Sequence, residues 1–182
     1  NFGQTSTIRV RSKSEAAGLI RFDVSSVPGN STIRRATLKL YALERSNEAG
    51  FYPRTYELYR PWAESEATWE QASDGQPWGA VGAGDMATDR AATYSDAAWV
   101  PLLERWVKLD ITDLVRRWRD DPSSNQGVIV RGFSYAGVEY EFASAQFGDV
   151  SLRPKLVLEL MGPATATPTG TRTATPTWTP WA

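Results

Sequence analysis

Short runs in which every second residue is apolar recur along most of the chain. Ile8 and Val10 alternate with Thr7, Arg9 and Arg11; Ile20, Phe22 and Val24 with Leu19, Arg21 and Asp23; Ala36, Leu38, Leu40 and Ala42 with Thr37, Lys39 and Tyr41. A period of two is the mark of a strand with one buried face. Tyr56 to Tyr59, Trp106 to Ile111, Val138-Tyr140-Phe142 and Leu156-Leu158-Leu160 continue the series, and Val128-Ile129-Val130 is apolar on both faces. Pro28-Gly29-Asn30 is a turn signal between the second and third runs. A Gly-, Ala- and Asp-rich loop region extends from Ala72 to Asp96.

One helix interrupts the series. Leu114, Val115 and Trp118 share a helical face, Asp110 or Thr112 can cap its start, and Asp120-Asp121-Pro122 stops it. About eight strands with Gly/Pro turns and one short helix predict an all-β fold, an antiparallel two-sheet β-sandwich of the jelly-roll kind with an extended C-terminal tail. The division is a sandwich over 1–162 and a Thr/Pro-rich tail over 163–182.

The tail has its own periodicity. Thr165, Thr167, Thr169, Thr171, Thr173, Thr175, Thr177 and Thr179 hold every odd position, and Pro168, Pro176, Trp178 and Pro180 fall on even ones. Composition suits a disordered, O-glycosylated stalk. Parity suits an edge strand, because prolines on one parity remove N–H groups from one edge only and leave the threonine edge able to pair. The expectation is that Thr165 to Thr179 present their backbone to one neighbouring strand, with the prolines facing away.

Composition narrows the chemistry. The chain has no cysteine and no histidine, which removes disulfides, thiolate metal sites and the commonest general base. A net charge of −1 with dispersed signs gives no nucleic-acid footprint, and no apolar run is long enough to span a membrane. The start at Asn1 and the tail composition lead to the expectation of a processed protein, secreted and extracellular or at the cell surface.

Several pieces in order carry a family resemblance: Leu19-Ile20-Arg21-Phe22-Asp23, Ser31 through Leu40, Trp62-Ala63-Glu64-Ser65-Glu66-Ala67-Thr68-Trp69, Leu109-Asp110-Ile111-Thr112 with Trp118, Asn125-Gln126-Gly127, Phe142-Ala143-Ser144 and Arg153-Pro154-Lys155-Leu156. From about Asn1 to Leu160 the chain resembles the DNRLRE domain. The resemblance implies a secreted bacterial or archaeal β-sandwich related to carbohydrate-binding modules, and it implies no catalysis. Such domains begin with a strand before an Asn-aromatic-Gly turn, whereas this chain starts on that turn, at Asn1-Phe2-Gly3. A sheet edge is then left open.

Two readings of function follow. In the first, the tail of one copy, Trp178 included, adds to the open edge of the next, giving a head-to-tail homopolymer, an extracellular filament. Pairing of the tail within its own chain is the alternative. In the second, the domain binds polysaccharide and the tail is a linker. Trp78, Tyr94 and Trp99 in the long loops are the candidate sugar-stacking rings, drawn from a wider aromatic set that includes Tyr52 and Tyr135. Trp62, Trp69, Trp106 and Trp118 are assigned to the core. Asn30 in Asn30-Ser31-Thr32, with Thr165, Thr167 and Thr169, are the candidate glycosylation positions. The chain is not expected to be an enzyme: Glu64, Glu66, Asp74, Asp85 and Asp89 make no specific catalytic pair or calcium-loop spacing. No cofactor or metal is expected; a structural calcium is the one ion considered.

Overall fold

In the computed structural model, residues 3–13, 16–162, 172–174 and 176–180 are described; for the last two segments this covers the backbone. The alternating segments form β1 (Thr7–Arg11), β2 (Ala17–Phe22), β3 (Thr32–Arg45), β4 (Tyr52–Glu57), β5 (Gln71–Ser73), β6 (Gln76–Pro77), β7 (Asp96–Ala97), β8 (Arg105–Asp110), β9 (Val128–Phe133), β10 (Glu139–Ala143) and β11 (Lys155–Met161). The tail contributes β12 (Arg172–Ala174) and β13 (Pro176–Pro180). The helix, α1, is Thr112–Asp120.

Two antiparallel sheets face one another, as the alternation predicts. In the first, the long β3 carries β8 on one edge and both β11 and β10 on the other; β1 and β12 lie outside β10 and β11. The second has the order β13-β2-β9-β4-β7. Inward residues such as Ile8, Val10, Ile20, Phe22, Leu38, Leu40, Val128, Val130, Phe142 and Leu156 fill the space between the sheets. Tyr140 stacks on Phe51 there, ring centres 4.5 Å apart, and Trp118 joins the same cluster from α1. The helix start differs from expectation. Its N-cap is Ile111 without a side-chain cap, while Asp110 accepts from the Thr112 amide at 2.9 Å and Thr112 accepts from the Ala36 amide, which ties α1 to β3.

β4 begins at Tyr52, ahead of the Tyr56 expected, because Pro53 hides the alternation. Pro53 and Thr55 are buried while Tyr52, Arg54 and Tyr56 face outward. Trp106 also departs from the core assignment. Val107 and Leu109 point inward, so Trp106 takes the outer face, partly exposed, with Tyr41 edge-on at 5.3 Å and the Lys155 ammonium 4.7 Å from its ring. On that outer face Lys108 is directly opposite Lys39, and Lys39 opposite Lys155, so three lysines form a row across three strands.

The tail does not form one strand on one neighbour. β12 pairs with β11 and β13 with β2, so the segment adds to both sheets of its own chain. Within β13 the parity argument works. Ile20 turns its carbonyl toward Gly127 and β9, so Leu19 and Arg21 turn theirs toward β13, opposite Thr179 and Thr177. Pro176 and Pro180 then lie at the positions whose missing N–H faces away from β2. Thr165, Thr167, Thr169, Thr171, Thr175 and Pro168 lie outside the described residues.

Candidate functional site

The outer face of the second sheet decides what the chain presents. Between Tyr59 and Tyr94 the chain leaves the sandwich and folds over one half of that face. Trp62, Ala67, Ala72, Trp78 and Ala83 pack there against Leu19, Leu58 and Ile129 as a second apolar cluster, with Tyr56 and Trp69 at its margin. Two indole N–H groups in this cap find acceptors: Trp62 donates to the Gln126 carbonyl at 2.8 Å and Trp78 to the Thr68 carbonyl at 3.0 Å. Gly82, at φ +68°, lies flat against Trp69, where a Cβ would fall 2.3 Å from the ring.

Asp89 anchors the cap. It has no exposed surface, and its carboxylate accepts from the amides of Gly79, Ala80 and Asp85 and from Arg60 at 2.9 Å. Burial alone would raise its pKa, but these hydrogen bonds hold it below the ordinary carboxylate value. The Asp85 carboxyl is lowered too, by the amides of Ala87 and Thr88. The two loop carboxylates raised as candidates for calcium or catalysis therefore organise backbone.

The other half of the face is open. Tyr135 is 95 % exposed, Trp99 49 %, Tyr94 48 % and Tyr52 40 %, and these rings gather on one side of the molecule. Strand geometry places them. Tyr52 stands opposite Phe133 across β4 and β9, and Trp99, just beyond β7, tilts against Tyr52 at 4.9 Å. Tyr135 meets Phe133 edge-on at 5.4 Å, and Tyr94 meets Tyr56 at 6.1 Å. Arg54 lies among them, its guanidinium 3.8 Å from the Phe133 ring centre and 5.0 Å from that of Tyr94. Such stacking fixes a guanidinium while leaving its edge free for hydrogen bonds.

This open half is cationic. Arg54 is directly opposite Arg131, and Arg90 lies 4.7 Å from the Tyr56 ring. Burial first, and the neighbouring Arg90 charge second, push Arg131 down to about 10. Arg54 and Arg90 each bury an Nε without an acceptor among the described residues, and neither has a carboxylate within salt-bridge distance there. Rings that can take apolar sugar faces thus stand beside guanidiniums that can donate to oxygen atoms.

Of the sequence-predicted rings, Tyr94 and Trp99 belong to this surface. Trp78 does not: it is 5 % exposed within the cap, because the Ala-rich loop closes over it. Tyr52 and Tyr135, from the wider aromatic set, are central. Phe133, Arg54, Arg90 and Arg131 were missed; the alternation Tyr52-x-Arg54-x-Tyr56 around Pro53 was the available signal. Asn30 is exposed in the turn between β2 and β3. Thr173, Thr177, Trp178 and Thr179 lie in the tail strands.

The model of carbohydrate-binding module family 96 matches residues 1–160, and the chain belongs to that family. What the match shows of the resemblance read from the sequence is this kinship with carbohydrate-binding modules. A module of this kind is a binding domain, typically without catalysis. No curated protein matches the chain.

Proposed function

We propose that this chain, as a member of carbohydrate-binding module family 96, holds polysaccharide outside the cell on the open half of the second sheet. One observation carries the reading: Tyr52, Tyr94, Trp99, Phe133 and Tyr135 gather around Arg54 on a face that the cap leaves uncovered. Flat rings stack on sugar rings, and rigid aromatic anchors cost little side-chain entropy to order. Arg54 and Arg90, with no carboxylate within salt-bridge distance among the described residues, favour sugars that bring one, since guanidinium and carboxylate meet through two parallel hydrogen bonds. Binding needs no catalytic group.

Affinity electrophoresis through polygalacturonate and through hydroxyethylcellulose tests this. Retardation of the wild-type chain is expected, stronger in the acidic gel. Trp99→Ala should weaken it at least about tenfold, some 1.4 kcal/mol. Equal mobility of wild type and Trp99→Ala in both gels would overturn the proposal.

A second reading rests on the tail. β13 completes the second sheet from a segment joined to β11 through residues 162–171, and a neighbouring copy can offer β2 the same backbone. Exchange of tails in that way is head-to-tail and builds a filament with threonine-rich edge strands, open to O-linked sugars. Light scattering and electron microscopy of the full chain against a truncation after Gly162 decide it. Fibres that vanish on truncation support tail exchange; a monomeric full chain at high concentration removes it.

A further inference from the structure

The outer face of the first sheet carries charge and rings of its own. Three rows cross it in register: Trp106 opposite Tyr41, then Lys108, Lys39 and Lys155, then Asp110, Thr37 and Val157. All of these residues keep surface in solvent, because the alternate positions Leu38, Leu40, Val107, Leu109, Leu156 and Leu158 take the core. The middle row gathers three of the four lysines of the chain. Among the described residues none of the three has a carboxylate within salt-bridge distance. Asp110, in the next row, already accepts from the amide and the hydroxyl of Thr112. Asp149, before β11, is lowered first by its hydrogen bonds from Ser151 and only last by the charge of Lys155. Like charges directly opposite one another cost stability, and an uncompensated row of them makes a field that draws an anion from solution.

We propose that this face is a second site for acidic polysaccharide, so that one copy of the chain bridges two polymer chains, one on each side of the sandwich. The ligand class rests on the function proposed above; the surface is a separate one. Neighbouring strands stand about 4.8 Å apart, so the row spans about 10 Å, and its spacing is of the same order as the repeat at which a polyuronate carries one carboxylate per ring. Trp106 and Tyr41, edge-on at 5.3 Å, flank the row and offer apolar surface to the rings of the same polymer. The Lys155 ammonium, 4.7 Å from the Trp106 ring, joins the two rows. An ammonium is a point charge without the fork of a guanidinium, so this face reads charge where Arg54 and Arg90 read the shape of a carboxylate. Three lysines on a chain of net charge −1 do not make the long basic groove that single-stranded nucleic acid follows. The two outer faces point in opposite directions with both sheets, about 10 Å apart, between them, so a long polymer meets them as separate sites.

A capture assay with the full chain tests the bridge. Protein is bound to a surface coated with polygalacturonate, and fluorescent polygalacturonate is then added in solution. Wild type should retain the labelled polymer. Lys39→Gln combined with Lys108→Gln leaves the contact of Lys155 with Trp106 in place; this variant should hold to the surface through the aromatic face, melt no lower than wild type and retain about tenfold less label. Trp99→Ala should likewise lose label while holding, more weakly, to the surface through the lysines. Equal retention of label by wild type and the lysine variant would overturn the bridge and leave the aromatic face standing. Loss of all surface binding in the lysine variant, with Trp99→Ala behaving as wild type, would overturn the aromatic face and the bridge with it. Tighter binding of Trp99→Ala to oligothymidylate than to polygalacturonate would overturn the glycan as occupant of the lysine face.

Discussion

The outer face of the second sheet is shared by two regions made of the same residue types. In one half Trp62, Trp78, Leu19 and Ile129 are sealed under the cap, with two indole N–H groups bonded to carbonyls. In the other, Tyr52, Trp99 and Tyr135 stand on the same strands or beside them with large parts of their rings in solvent. Intrinsic hydrophobicity does not separate the halves. The cap does, and Asp89 holds the cap, so one buried carboxylate determines which aromatics are core and which are surface.

The largest test of that contrast is Trp78→Ala. Loss of a buried indole should cost about 3–5 kcal/mol in urea unfolding, since the cavity cannot fully collapse. Asp89→Ala should follow at about 3 kcal/mol, because it strands Arg60 and three amides that the carboxylate satisfies. Near-ultraviolet circular dichroism should show both as loss of the cap's tryptophan signal.

Acid comes next in size. The folded pKa of Asp89 and of Asp85 lies below the ordinary carboxylate value of about 3.9, so their contribution is complete above that value and is lost as pH falls through the folded ones. Thermal melts at decreasing pH should therefore show the cap loosening below about pH 4. A flat profile down to pH 2 would separate Asp89 from cap stability. The smallest effect belongs to Trp99→Ala, expected to change stability by no more than about 0.5 kcal/mol. If it costs as much as Trp78→Ala, the two halves are one core and the contrast is lost.

The sandwich was legible because β1, β3, β8, β10 and β11 each alternate cleanly, and β2 and β9 are buried on both faces for a reason now visible. Val128 and Val130 face the core while Ile129 faces the cap. The cap itself was not legible. Its small hairpin β5–β6 is short, and Ala67, Ala72 and Ala83 fill its interior at irregular spacing, so the segment reads as a Gly/Ala loop and Trp78 reads as exposed. The open aromatic face was half legible: Tyr94 and Trp99 stand out in loops, whereas Tyr52 and Arg54 are masked by Pro53, and Arg131 declares itself only through its cross-strand neighbour. The tail's parity was readable, but its division between two sheets was not, because an alternating segment carries no sign of which edge it will meet.

The row of Lys108, Lys39 and Lys155 gives the first sheet a dependence on salt, as Arg54 facing Arg131 does the second. Like charges opposite one another across strands repel, and at about 0.1 M salt the screening length is about 10 Å, comparable with the width of the row. Added salt should therefore firm this sheet, and dilution should soften it. The two sheets then respond to salt in the same sense, one through lysines and the other through arginines.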